Sequence, residues 1–285
     1  MIILSAGKKF VEILKYIFIA FVQGVAEILP ISSSGHITLA SEIVNINHSL
    51  TLSIFLHAGS LIAVIVYYAK DLWKMIKNLF LYIFKKDRSE EAIKYSKLVL
   101  MLVIATIPAG LVGVFLKDII DRIFQDNIFL VGIDFLITAI ILFVIGRINC
   151  DRKTKDMNIL DAFIVGLFQV VGVLPGISRS GITISGLKTR KFNNEDSANF
   201  AFLMFIPISA GSFLVEVYDL IKEPSAFDSS LAVPYLIGIV VAGVVTYFAL
   251  KLLLKVIKRG KLWYFSIYLL ILGITVITLS LLNII

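Results

Sequence analysis

The sequence predicts an all-α, polytopic membrane protein built from two inverted-topology repeats, each a re-entrant helical hairpin followed by three transmembrane helices. Three observations carry that expectation. Of 285 residues, 59% are hydrophobic and 16% charged, and the mean hydropathy is +0.95; a soluble globule does not sustain such values. The apolar residues fall in runs of roughly 20, the length that crosses a bilayer. Two of the runs are interrupted by polar breaks containing Gly and Pro, at Leu29–His36 and Pro175–Thr183. The breaks match in spacing: Gln23 stands nine residues before Ser32 and twelve before Gly35, as Gln169 stands before Ser178 and Gly181. Paired breaks of this kind point to a site where two discontinuous membrane helices meet.

Residues 10–29 read as an apolar helix with Gln23 and Glu27 on one face. Pro30 ends it, and Ser32, Ser33 and Ser34 are natural N-caps for a second helix over 35–45. Two short arms around a polar break describe a re-entrant hairpin, 10–45, because non-helical backbone at membrane depth survives only against protein or a wet cavity. Spans follow at 51–69, 98–116 and 128–146, completing a first repeat over 1–150. The second repeat, 151–285, has a hairpin over 159–188 with arms at 159–174 and 182–188, then spans at 197–218, 232–256 and 263–283. Three crossings per half is an odd number, so the halves lie in opposite orientations.

Loop charge sets the direction. The net charge of +7 comes from basic residues between apolar runs, without interleaved stacking aromatics, which argues against a nucleic-acid partner. Segments 70–97, 147–155, 188–191 and 251–261 hold twenty Lys and Arg on one side. The terminal side has six: Lys8, Lys9, Lys15, Lys117, Arg122 and Lys222. The basic side is therefore expected in the cytoplasm and both termini outside it. The first hairpin then enters from outside, the second from inside, and their tips meet within the bilayer. The single Cys150 rules out an intramolecular disulfide and a cysteine metal cluster. Lys8 and Lys9 before an apolar run imitate a signal peptide, but no small-residue cleavage site follows, so the segment reads as mature protein.

Within the second break, Arg179 at membrane depth costs about 2.5–3.5 kcal/mol on insertion scales and calls for an anionic partner or ligand. Ser178, Ser180, Thr183 and the N–H groups of a helix start beside Gly176 and Gly181 surround it. Positive charge, hydroxyls and a helix N-terminus together suit phosphate. The plainer alternative is an Arg that caps a helix end or pairs with Glu27. Glu27, among Val25, Ala26, Ile28 and Leu29, is a candidate cation ligand, general base or counter-charge. His36 is a candidate proton carrier or nucleophile, with a structural role equally open. His57, inside an unbroken span, reads as packing, and Asp134, Asp161 and Glu216 read as span-end residues. Gly238 and Ala242 mark close packing between helices, or between subunits of a homodimer.

These residues resemble the undecaprenyl-diphosphate phosphatase family, the bacitracin-resistance proteins. Its PGxSRSGxT block is complete from Pro175 to Thr183, and its (E/Q)xxxE and LPxSSxGH segments are matched by Gln23–Glu27 and Leu29–His36. The resemblance implies hydrolysis of undecaprenyl diphosphate to undecaprenyl phosphate and phosphate, recycling the carrier for cell-wall synthesis in the bacterial plasma membrane. It implies a divalent cation, Mg²⁺ or Ca²⁺, with Glu27 as ligand, and catalytic roles for Glu27, Ser33, His36 and Arg179. Gln23, Ser32, Ser34, Gly176, Ser178, Ser180, Gly181 and Thr183 would bind the substrate. Gln23 stands at the first, often acidic position of that motif, where the family also tolerates Gln; an amide is neither base nor charge, which leaves Glu27 as the one acid there.

The expected mechanism has Arg179, nearby N–H groups and a cation at Glu27 gripping the diphosphate, attack by Ser33 or water, and His36 moving the proton. The polyprenyl tail enters through a lateral opening between apolar spans. The rival class is a carrier, since inverted repeats with half-helices meeting at mid-membrane also hold transported anions. A weaker third reading is a non-catalytic lipid-binding subunit.

Overall fold

The computed structural model describes residues 2–46, 49–124, 127–148, 150–224 and 227–284; the side chains of Lys8, Lys9 and Lys117, counted in the charge balance above, lie outside the described residues. The described chain is helical almost throughout. Its helices are α1 (Ile2–Ala26), α2 (Ser33–Val44), α3 (Leu50–Tyr67), α4 (Ala69–Phe84), α5 (Glu90–Phe115), α6 (Lys117–Phe124), α7 (Ile128–Ile145), α8 (Ile159–Val171), α9 (Arg179–Thr189), α10 (Asn194–Lys222), α11 (Ala232–Lys258) and α12 (Tyr264–Leu281). Helix starts are written in short polar residues. The side chains of Ser32, Ser49, Ser89, Asn127, Asn158, Ser178 and Asn193 each accept a hydrogen bond from a first-turn N–H, satisfying a donor with no partner inside the helix.

Among the described residues five helices, α5, α7, α10, α11 and α12, are long and apolar enough to cross a membrane, and α3 with α4 makes a sixth if the bent pair counts as one span. This is an integral, multi-pass membrane protein. Large apolar side chains such as Val103, Ile107 and Leu111 on α5 and Val240, Val244 and Phe248 on α11 are exposed, as lipid-facing surfaces require. The shorter α8, of 13 residues, and the α9 that follows occupy the second hairpin.

The structure departs from the sequence expectation mainly at 70–97. Much of that basic stretch is not loop: the chain bends by 71° after Tyr67 and continues as α4. Trp73, Ile76, Phe80 and Phe84 are exposed while Met75 is buried, and Lys70, Lys74 and Lys77 are interspersed, so charge hid a helical pattern. The short α6 was likewise not foreseen. The expected bounds also shift: α5 begins at Glu90, eight residues early, and α8 ends at Val171, three residues early.

Helix pairing follows a regular plan. α1 packs on α11 as α8 packs on α5, and α3 packs on α11 as α10 packs on α5; α7 lies on α12, and α3 on α10. The α1–α3–α11 contact is very close. A Cβ on Gly59 would come within 2.4 Å of the Ile239 carbonyl, and one on Gly24 within 2.8 Å of the Ala242 carbonyl. Thr246 Oγ1 locks the three helices, 3.2 Å from Gly24 O and 2.9 Å from Ser60 Oγ. Ala242 is fully buried and Gly238 packs against Leu56, so both small residues serve contacts within the chain.

At the end carrying the basic loops, Asp161 fastens the base of the second hairpin. Its carboxylate accepts from Arg152 Nη2 at 2.5 Å and Arg190 Nε at 2.7 Å and completes a capping box with Asn158. Asp161 thus belongs to this clasp and does not reach the hairpin tips.

Candidate active site

Each break is built by a helix that stops and a serine that starts the next. In the first, α1 ends at Ala26, and Ser32 takes φ 70° so that its Oγ can accept from Gly35 N at 3.4 Å. Gly35 must be glycine, since a Cβ there would lie 2.5 Å from the Phe135 ring. In the second, Gly176 takes the left-handed turn at φ 99°, against Val131 and Asp134 of α7, and Ser178 Oγ accepts from Gly181 N at 3.1 Å.

The two tips touch. Gly176 N donates to Ser34 Oγ at 3.2 Å, Ser180 Oγ donates to Leu29 O at 3.4 Å, and a Cβ on Gly181 would stand 3.2 Å from Pro30 Cβ. Arg179 Nη2 donates to Glu27 Oε1 at 2.5 Å, with side chains 25% and 1% exposed. Gln23 Nε2 donates to Glu27 Oε2 at 3.0 Å, so both carboxylate oxygens are engaged; Ser33 stands beside the same carboxylate. Removing either member of so buried a pair would strand the other charge.

A cavity of about 530 Å³ opens at this junction, lined by Glu27, Ser32, Ser33, Ser34, Ser178 and Arg179. The other expected site residues stand behind it. Gln23 braces Glu27; Gly176 and Gly181 shape the turn and cap; Ser180 ties the tips; Thr183 contacts Gln169 Oε1 and lies 2.8 Å from the Arg179 carbonyl. His36 is not brought to the cavity. Its Nδ1–H donates to Ser32 O and its Nε2 accepts from the Tyr268 hydroxyl, both at 2.7 Å, with the ring stacked on Tyr268 and edge-on to Phe135. Both ring nitrogens are thus committed to holding the tip against α12.

The cavity also includes residues that the sequence reading set aside. His57 and Glu216 line it, joined by a 3.3 Å contact from Nδ1 to Oε1, and so do Ser53 and Gln169. The available signal was general: an ionisable residue inside an apolar span marks function by default. A divalent cation has no ready nest of protein ligands. Among the described residues no group of three or more His, Cys, Asp or Glu is placed to hold a metal.

An apolar groove of about 700 Å³ runs between α4, α5 and α10, lined among others by Leu72, Met75, Val103, Ile107 and Leu203. Thr106, Gly110, Val114 and Pro207 line both groove and cavity, so the apolar space opens directly onto the charged one. A Cβ on Gly110 would meet nothing within 4 Å; glycine there leaves the passage wide.

A guanidinium, a cluster of serine hydroxyls and a helix start at the end of a lipid-facing groove define an integral membrane protein that handles an anionic amphiphile. The chain belongs to the family described as Bacitracin resistance protein BacA, which matches residues 16–275. It is 38% identical over 268 residues to undecaprenyl-diphosphatase 3 of Bacillus anthracis, covering 94% of this chain and 97% of that one. It is 37% identical over 276 residues to the undecaprenyl-diphosphatase of Oceanobacillus iheyensis, covering 96% and 99%. With the corresponding enzyme of Alkaliphilus metalliredigens the identity is 38% over 276 residues, covering 94% and 98%.

Proposed function

We propose that this protein hydrolyses undecaprenyl diphosphate to undecaprenyl phosphate and inorganic phosphate, recycling the lipid carrier for cell-wall synthesis. The observation that carries the reading is the Arg179–Glu27 pair, in a hydroxyl-lined cavity that opens into an apolar groove. The diphosphate takes the cavity and the polyprenyl tail takes the groove.

Breaking a phosphoanhydride requires little beyond positioning and charge neutralisation. Arg179, fixed by Glu27, meets the phosphate charge together with the N–H groups that open α9. Ser33, beside Glu27, is the protein nucleophile; a water in the cavity is the alternative. In-line attack forms the new P–O bond as the bridging P–O bond breaks, and the leaving oxygen keeps the electron pair on undecaprenyl phosphate. His36 acts here as a positioning residue that holds Ser32 and the first tip. Mg²⁺ or Ca²⁺ fits poorly as a resident ion, because Glu27 already serves Arg179 and Gln23. It would arrive with the diphosphate, whose oxygens supply most ligands.

We further propose opposite orientations for the two halves. The exchange of helix pairs supports this: α1 on α11 matches α8 on α5, and α3 on α11 matches α10 on α5. In a bacterial plasma membrane the basic loops would face the cytoplasm, with termini and cavity on the other side. The same pair exchange favours a carrier as second reading. Phosphate release from farnesyl or undecaprenyl diphosphate by the purified full chain separates the two. The phosphatase reading expects release that falls about a hundredfold or more in Arg179→Ala; a carrier releases none.

A further inference from the structure

We propose that His57 is the proton-transfer group of this site and that Glu216 positions it; the inference rests on the phosphatase reading. Among the described residues, the ionisable groups lining the cavity are Glu27, His57, Arg179 and Glu216. Arg179 is a permanent cation. Glu27 has a guanidinium on one oxygen and an amide on the other, so taking the proton of the attacking hydroxyl would cost it the charge pairing with Arg179. His36 has both ring nitrogens committed outside the cavity. The pair formed by α3 and α10 is what is left.

Its geometry suits the task. Glu216 Oε1 accepts from His57 Nδ1 at 3.3 Å, which fixes the tautomer and leaves Nε2 as the nitrogen with a lone pair. A carboxylate behind an imidazole also stabilises the imidazolium formed when the ring takes a proton. Glu216 Oε2 is buried and has no hydrogen-bond partner among the described residues, so hydroxyl-rich surroundings do not explain an acid at this depth, whereas a histidine that must carry charge does. Glu27 and Arg179 are the other charged groups acting on the ring, which places it in the same electrostatic neighbourhood as the phosphate.

In the step proposed, the O–H bond of the attacking Ser33 or water breaks and its proton passes to Nε2. The new P–O bond forms and the bridging P–O bond breaks with its electron pair on the leaving phosphate. On the water route the imidazolium then returns the proton to a phosphate oxygen. On the Ser33 route it gives that proton to the leaving phosphate; a water then attacks the phosphoserine, its proton passes through Nε2 to Ser33 Oγ as the serine P–O bond breaks, and inorganic phosphate leaves, so serine and ring are both restored.

The test uses the purified full chain, farnesyl diphosphate and phosphate release, with kcat and KM followed from about pH 5 to about pH 9. His57→Gln is expected to lose about a hundredfold in kcat, keep KM within about threefold, and lose the acidic limb of the kcat profile. Glu216→Gln should displace that limb and Glu216→Asp largely restore it; a merely structural acid would alter the amount of folded protein and leave the limb in place. His36→Gln should retain the limb. A His57→Gln enzyme within threefold of the parent, or with the limb intact, overturns the proposal. If that variant does not fold, the Glu216→Gln profile decides, and an unmoved limb overturns it. An active parent with an undisturbed His57→Gln sinks this inference alone; a parent that releases no phosphate sinks the phosphatase reading with it.

Discussion

The two breaks share a scaffold and divide the chemistry. In each, a serine caps the outgoing helix through the N–H three residues on, Ser32 to Gly35 and Ser178 to Gly181. Each needs one left-handed residue, but Ser32 supplies it in the first, at the cap itself, and Gly176 in the second, two residues earlier. The cargo differs completely. The first break holds an acid, a serine triplet and a histidine that faces away; the second holds the guanidinium. Neither is a site alone, because a lone charge at that depth is unstable and each supplies the other's counter-charge. A common local fold therefore does not imply common chemistry, and on the proposed reading activity requires the tips to meet.

Exchanging or removing the cargo should have the largest effect. Arg179→Ala should cut phosphate release about a hundredfold or more while the protein still elutes as a folded species; near-normal release would make the second break a structural copy of the first. Glu27→Gln should also lose activity by more than tenfold, since Arg179 is then unaimed. Cation titration of that variant shows whether Glu27 also serves Mg²⁺ or Ca²⁺; an unchanged titration removes it as a ligand. Next comes the space beyond the cargo. Gly110→Phe, at the mouth shared by groove and cavity, should lower turnover of undecaprenyl diphosphate about tenfold relative to farnesyl diphosphate. Ile62→Trp, in a separate apolar groove bounded by α3 and α11, should leave that ratio alone.

Smaller effects probe the scaffold. Asp161→Asn should lower stability by roughly 2–4 kcal/mol, below the range for a fully buried pair because Arg152 and Arg190 are 28% and 32% exposed; thermal unfolding in detergent measures it. Among the described residues none plays this part for the first hairpin, so the loss should fall on the second break. Smallest is the shared feature: Ser32→Ala and Ser178→Ala should each cost about 1 kcal/mol. A much larger loss at one cap would mean that the scaffolds are less alike than their hydrogen bonds.

What was legible in the sequence was local. Pro30, Pro175 and the serines announce the breaks because they act on their own backbone, and Glu27 and Arg179 stood out because charge inside apolar runs demands a partner. What was hidden depends on remote packing. Nothing local foretells that Tyr268, 232 residues away, takes the ring of His36, or that Glu216, 159 residues on, faces His57 across α3 and α10. α4 was masked because its lysines read as loop charge, whereas its apolar residues repeat on a helical face.

The central claim is contact between two tips that arise about 150 residues apart in the chain. Pro30→Cys with Gly181→Cys tests it in a Cys150→Ser background, since the two Cβ positions lie 3.2 Å apart, near the spacing a disulfide spans. After oxidation and cleavage of the loop between α7 and α8, the account predicts that the two halves stay joined until reductant is added. Halves that separate without reductant, although each single cysteine is oxidisable, would contradict it.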